Sequence, residues 1–401
     1  MMPPPKRKNP LRRTPAPLLP PSARSRTALG ITAAAAWGRF ELQVCVACGV
    51  AQYPPREVCG ACLGDELAWR GVDPMGELIA ATTVHVSGDS YFRERTPWRV
   101  GTVAMDAGQV VIAHLVASLA TGDRVRLAQK LDRAGQGVMV ALPLAETVDL
   151  LDDPMMREMT CDPRDRRVLV TDGRHLIGQA IARVMLAAGA RVLLGVAEMW
   201  KPFAAVDGAE MIELDLSDAD SVRRCAAAYG GRVEIVVNTG LHTRPGGILA
   251  RGDLTTARVE MEAAYFGPMR LAQALGPALR SRAADGTHPT CAWVNVLSVY
   301  ALANLPNWGA SCAAQAAGMS LSQALRADLR PIRVINALVG PLDDEWHQDV
   351  PPPKVTADAL ATAIVKALRD GVEDVAVGDV ARDVLARWLD DPKTLERELA
   401  T

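Results

Sequence analysis

The chain has 401 residues, 49% of them hydrophobic and 22% charged, and a formal net charge of -2. That length suits two domains of roughly 100 to 200 residues each, and the balance is that of a globular protein able to bury large cores. It excludes a general electrostatic attraction to nucleic acid or membrane. No apolar run approaches the roughly 20 residues that a membrane helix needs, and the N-terminus lacks the apolar core of a signal peptide, so the cytoplasm is the expected compartment.

Residues 1–28 alternate prolines with Lys6, Arg7, Lys8, Arg12 and Arg13. They carry too little apolar surface to offset the entropy of ordering, which predicts a disordered tail. A short amphipathic helix is expected next, ending near Phe40 and Leu42. Then comes the strongest chemical signal: Cys45, Cys48, Cys59 and Cys62 form two Cys-x-x-Cys pairs separated by ten residues. Four thiolates so spaced can surround one Zn2+ tetrahedrally, with a β-hairpin between the pairs. The site would be closed, so the metal would contribute folding free energy and do no chemistry. A pair of disulfides or a redox dithiol are the rival readings; the first wants a secretory context, the second a single Cys-x-x-Cys opening a helix. Cys161, Cys225, Cys291 and Cys312 are scattered and read as small apolar residues or free thiols.

Beyond the cysteines, apolar runs at 78–86, 99–105, 110–117, 125–131 and 137–141, separated by glycine-containing turns, predict a small closed β-barrel. The stretch LQVCVACGVAQYPPREVCGACLGDELAWRGVDPMGELIAATTVH resembles the zinc-ribbon plus OB-fold proteins once grouped as domain of unknown function 35, with Pro55, Arg56, Trp69 and Gly76 in the family's places. The resemblance covers residues 37–144 and implies a domain over 29–144: a rubredoxin-like zinc ribbon at 40–70 and an OB-fold β-barrel at 71–144. It further implies an acyl-CoA-associated accessory module that docks on a thiolase or thiolase-like aldolase, with acyl-CoA itself a candidate ligand. Zinc ribbons and OB-folds also bind nucleic acid. Here the only aromatic and basic cluster is Tyr91, Phe92 and Trp98 with Arg93, Arg95 and Arg99, too sparse for a stacking platform.

Residues 145–165 are acidic, carry Pro154 and Pro163, and show no periodicity, as an interdomain linker would. From Arg167 strands and helices alternate. Runs at 167–170, 191–196, 233–238, 292–297 and 333–339 are separated by helical patterns, several of them near 218–229, 255–282, 309–329 and 356–370, which predicts an α/β Rossmann fold with a doubly wound parallel sheet. Over 166–392 the order and lengths resemble a short-chain dehydrogenase/reductase. Thr171, Gly173 and Gly178 stand in the first turn, Asp215 where the family touches adenine, and Asn238, Gly240 and Ser298 at further landmarks.

The family's chemistry is nonetheless missing. Its first turn reads Thr-Gly-x-x-x-Gly-x-Gly so that backbone can approach a pyrophosphate; here the first glycine is Asp172 and the middle one Leu176. The second strand ends in Gly195, Val196 and Ala197, without the acid or arginine that reads the ribose. Counting from Ser298, Ser311 takes the place of the catalytic tyrosine, Gln315 that of the lysine which lowers its pKa, and Ala264 that of the assisting asparagine. Tyr265 and Tyr300 are the nearby substitutes, neither followed four residues on by a lysine. His175 and His242 fall in loops at the end of the sheet where ligands bind.

These readings converge on a catalytically degenerate reductase domain without bound NAD(P), fused to a zinc-ribbon/OB module. The whole would be an accessory subunit of an acyl-CoA processing complex, pairing with an active reductase subunit through helices 255–282 and 309–329. The alternative is an active NAD(P)-dependent 3-hydroxyacyl-CoA dehydrogenase with unorthodox catalytic residues.

Overall fold

The computed structural model describes residues 18–144, 148–284 and 290–400. The first half of the expected tail, residues 1–17, lies outside them. Residues 18–28 do not behave as a tail: Pro20 is buried, Arg24 lies 3.8 Å from Asp132, and Ser25 caps a short 3-10 turn, Arg26–Ala28. Helix α1 (Leu29–Ala36) follows and ends earlier than expected. Gly38, at φ +66°, reverses the chain, and the Arg39 amide closes back on Ala34 at 2.8 Å. Phe40 and Leu42 therefore belong to the next layer, where Leu42 sits on a strand.

That strand, β1 (Glu41–Cys45), pairs antiparallel with β2 (Ala51–Gln52) and β3 (Leu67–Gly71) in the order β2-β1-β3. The chain passes directly into β4 (Met75–Val84), then α2 (Ser90–Arg93), β5 (Trp98–Met105), β6 (Val110–Leu115), β7 (Arg124–Leu131) and β8 (Gly137–Pro143). The five strands close as β4-β5-β6-β8-β7. Inward residues alternate along each strand, as period-two patterning requires: Leu78, Val103, Val111, Leu115, Val125, Leu127 and Val140 fill the barrel, and Ile31 of α1 and Leu42 of β1 pack against its end.

Where the sequence suggested a plain linker, residues 148–165 are packed down. A 3-10 turn, Arg157–Met159, buries Glu158 and Met159, and the Cys161 amide donates to the Leu368 carbonyl at 2.8 Å. The stretch lacks periodicity because much of what it buries is polar: Asp153, Glu158, Thr160 and Asp162 are all buried.

The second domain contains β9 (Arg167–Val170), α3 (Leu176–Ala187), β10 (Arg191–Val196), β11 (Glu210–Glu213), α4 (Ala219–Tyr229), β12 (Ile235–Asn238) and α5 (Thr255–Met261). It continues through α6 (Gly267–Ala284), β13 (Ala292–Ser298), α7 (Gly309–Asp328), β14 (Arg333–Val339), α8 (Ala357–Asp370), β15 (Asp374–Val377), α9 (Asp379–Asp390) and α10 (Pro392–Leu399). All pairings are parallel, in the order β11-β10-β9-β12-β13-β14-β15. The order reverses between β9 and β12, which opens a crevice beyond their carboxyl ends. The long helix expected over 255–282 is broken by a wide turn, Glu262–Phe266, closed by the Gly267 amide on the Glu262 carbonyl.

Leu271, Leu275 and Leu279, on the helix expected to pair with a reductase subunit, are each 0% exposed and pack with Val236, Trp293 and Val334 on the sheet. They belong to this domain's own core, so a polar replacement there reports folding and not assembly. None of the described helices is long and apolar enough to cross a membrane.

Candidate functional site

The four cysteines come together at one end of the ribbon. β1 delivers Cys45 into a tight turn, and the equivalent turn starts at Cys59; in each, the residue four positions on donates its amide back to the leading cysteine carbonyl, Gly49 to Cys45 at 2.9 Å and Leu63 to Cys59 at 3.0 Å. All four sulfurs lie within 4.8 Å of one another, with Cys45–Cys62 and Cys48–Cys59 each at 3.6 Å. A disulfide would bring a pair to about 2.05 Å, whereas zinc–sulfur bonds of about 2.3 Å in a tetrahedron put sulfurs about 3.8 Å apart. The donor set therefore fits a structural zinc. Backbone amides of Cys62 and Ala61 hold the Cys59 thiol down.

The second concentration of polar groups is a cleft of about 520 Å³ in the crevice between β9 and β12. The turn after β9 stabilises itself. Asp172 Oδ1 accepts from the amides of Arg174 at 2.9 Å and His175 at 3.3 Å, and His175 Nδ1 caps α3 by accepting from Ile177 at 3.3 Å. A side-chain carboxylate thus occupies amides that, in a dinucleotide site, turn toward phosphate. Arg174 points the other way. Its guanidinium donates to the carbonyls of Ala197 and Glu198 at 2.6 Å each and of Lys201 at 2.9 Å, closing the loop after β10. Leu176 is 64% exposed at the cleft wall. The glycines retained are those the fold needs: a Cβ on Gly178 would collide with the Asp172 carbonyl oxygen, and one on Gly173 would lie 2.6 Å from Leu194.

Deeper in, Thr171 accepts from the Thr239 amide at 3.1 Å, and Asn238 donates to Asn295 at 3.1 Å while its own Oδ1 finds no partner. Asp215 spends its carboxylate on the Ser217 amide and hydroxyl, at 2.8 and 2.7 Å. Gln315 is 1% exposed; its Oε1 accepts from the Ser298 amide at 3.1 Å and its Nε2 lies 3.5 Å from the Gly240 carbonyl. Ser298 Oγ accepts from the Tyr300 amide at 3.2 Å, and Ser311, 2% exposed, has an Oγ with no partner. Ala264 lies in the wide turn before α6. Burial pushes the Tyr300 hydroxyl up, so it stays protonated.

Sequence reasoning missed the far wall of the cleft. Arg244 lies over the Trp346 ring at 3.4 Å, and Trp308 stacks on His347 at 5.0 Å and 13°. His347 Nδ1 meets Asp344 at 2.7 Å. Burial, and then Arg244, push the His242 imidazole down, so it is neutral near pH 7. The Arg244–Trp346 and Trp308–His347 pairs join residues distant in sequence and leave no local spacing to read.

The ribbon, residues 32–68, matches the family model described as ChsH2, rubredoxin-like zinc ribbon domain; 69–129 match ChsH2, C-terminal OB-fold domain; and 166–353 match short chain dehydrogenase. The chain is a fusion of these two modules. Its dehydrogenase domain is similar to a crystallised short-chain dehydrogenase from Burkholderia cenocepacia in complex with NADP, with 28% identity, a TM-score of 0.55, and coverage of 60% of this chain and 99% of that one. Among curated proteins, short-chain dehydrogenase cctT of Talaromyces islandicus is 29% identical over 185 residues, 44% of this chain and 62% of that protein. Dehydrogenase/reductase SDR family member 7B of Xenopus tropicalis is 26% identical over 195 residues, 44% of this chain and 60% of its own length. The chain thus spans about three fifths of either relative.

Restoring the tyrosine and lysine alone, as Ser311→Tyr with Gln315→Lys, is expected to leave 3-oxoacyl-CoA reduction undetectable in a nicotinamide absorbance assay, because Asp172 and Leu176 still line the phosphate turn.

Proposed function

We propose that the chain is a non-catalytic accessory subunit of an acyl-CoA processing complex in the cytoplasm, of the kind that degrades aromatic-acid or steroid CoA thioesters. In this reading the zinc-ribbon/OB domain docks a thiolase or thiolase-like aldolase, the dehydrogenase domain pairs with an active reductase subunit, and NAD(P) is not bound. The observation that carries it is the state of the acid/base position: Ser311 is buried, and the lysine's place holds an amide that bridges Ser298 and Gly240. A serine hydroxyl with no hydrogen-bond partner, and with a neutral amide in the lysine's place, lacks the acidity to donate a proton near neutral pH.

The alternative, an active 3-hydroxyacyl-CoA dehydrogenase, draws on the 520 Å³ cleft at the sheet's switch point and on the NADP held by the Burkholderia relative. Calorimetry separates the two. The wild-type chain is expected to give no heat of binding with NADPH or NADH at micromolar concentrations. The double change Asp172→Gly with Leu176→Gly is expected to gain binding without turnover. Micromolar binding by the unaltered chain would overturn the proposal.

A further inference from the structure

The two metal-binding turns of the ribbon are near repeats of one another, and they differ at one telling position. Cys45 to Gly49 and Cys59 to Leu63 make the same closure, and the next residue closes it again: the Val50 carbonyl accepts from the Cys45 amide at 3.0 Å, the Gly64 carbonyl from the Cys59 amide at 2.8 Å. The residue after the second cysteine must take left-handed backbone, φ +73° in the first turn and φ +62° in the second. The first turn uses glycine, which adopts that conformation freely; the second uses leucine, for which it is strained. The strain is not offset by packing, because the Leu63 side chain is 76% exposed. A glycine there, as at position 49 in the first turn, would take this backbone without strain.

From this we infer that Leu63 is the anchor of a protein-docking surface on the ribbon tip, inserted on binding into an apolar socket of the partner. Strain held at a site of no internal use points to an external use, and one buried apolar anchor surrounded by weaker contacts is how interface energy concentrates. The surroundings fit. Val46, Val58, Ala47, Gly60 and Ala61, all on or beside the two turns, are exposed and uncharged. Around them Glu57, Asp65 and Glu66 are exposed carboxylates, none in an ion pair among the described residues, and they outnumber the one exposed cation at the tip, Arg56, whose guanidinium lies against Gly60. A zinc tetrathiolate is itself an anion. The partner that complements this tip carries an apolar socket rimmed by arginine and lysine. The inference rests on the reading that this domain docks on another protein, and it adds which residue does so and what it meets.

The test uses the full chain. Protein bound to it in its native source is identified by mass spectrometry, produced separately, and titrated against wild type, Leu63→Gly and Leu63→Met with zinc content measured in parallel. Leu63→Gly is expected to keep its zinc, to melt no lower than wild type, and to bind about 30-fold more weakly or worse. Leu63→Met, which keeps the apolar bulk, should retain most of the affinity, and raising salt should weaken wild-type binding through the rim. Unchanged affinity in Leu63→Gly would overturn the anchor while leaving the accessory role standing. Absence of any bound protein would overturn that role as well. If sedimentation shows a second copy of this chain to be the partner, the assignment to a different protein with a basic rim fails.

Discussion

Replacing Glu158 by alanine is expected to cost about 3–5 kcal/mol of stability, the range for stripping one partner from a buried charge cluster. Glu158 sits on the 3-10 turn between the two domains and is 7% exposed. Its carboxylate accepts from Arg133 at 2.8 Å, from Arg95 at 2.9 and 3.2 Å, and from the Tyr91 hydroxyl at 2.6 Å. The Arg133 side chain is only 3% exposed and also reaches the Ala283 carbonyl of the second domain. Without Glu158 two guanidinium groups face each other in a poorly solvated space with no counter-charge. Burial, and then the nearby carboxylate, push the Tyr91 hydroxyl up, so it remains a donor at any pH the fold survives. Urea unfolding of Glu158→Ala against wild type measures the loss. A change below about 1 kcal/mol would mean that water reaches the cluster and the pair behaves as a surface one. Glu158→Gln keeps the shape and one acceptor, and should retain most of the loss because the charge is what the arginines need.

The second large effect belongs to the metal. Cys59→Ser is expected to remove stoichiometric zinc and with it the ordered ribbon, since structural zinc contributes about 10–16 kcal/mol of apparent binding free energy in small zinc-finger peptides. A five-residue strand, a two-residue strand and a second five-residue strand cannot bury enough to fold alone. Hydrogen exchange followed by mass spectrometry should show protection lost over residues 41–71. The loss should spread in part to α1, where Gly30 has room for nothing but the Trp69 ring against it. The parallel sheet, with its own cores, should keep its protection. Metal analysis that finds zinc retained in Cys59→Ser, or absent from anaerobically prepared wild type, would contradict the structural assignment.

How much of this could be read from the sequence followed from how each element is buried. The strands Arg167–Val170, Arg191–Val196 and Arg333–Val339 are legible to the residue because a parallel sheet covered on both faces favours a near-continuous apolar run, and every residue of Arg333–Val339 is buried, with only Arg333 and Asn336 polar. Glu210–Glu213 and Asp374–Val377 were missed. They are the two edges of the sheet, short and bearing carboxylates, and so resemble loops. The terminal helices Asp379–Asp390 and Pro392–Leu399 were missed as well, although both are amphipathic, because no strand followed to frame them. The leucine spacing at 271, 275 and 279 marks a buried helical face, and the sheet underneath accounts for it. The site divides in the same way. Cys45, Cys48, Cys59 and Cys62 announce themselves because metal geometry fixes their spacing. The cleft wall in which Arg244 lies over Trp346 is assembled from separate loops and has no linear signature.

The contacts between barrel and sheet have a consequence for anything the protein holds. Arg333, 4% exposed, donates from β14 to the carbonyls of Leu131 and Asp132 at 3.2 and 3.0 Å. Lys130 reaches the Asp370 carbonyl at 2.9 Å, and the Glu373 amide reaches that of Ala36 at 2.8 Å. The two modules are joined as a bracket, not strung on a tether. A flexible tether lets two bound molecules search a volume, with an effective concentration that falls as the tether lengthens. A bracket fixes their separation and orientation at once. Anything seated on the barrel and anything seated on the sheet would keep one spacing and one angle, written into the hydrogen bonds of Arg333.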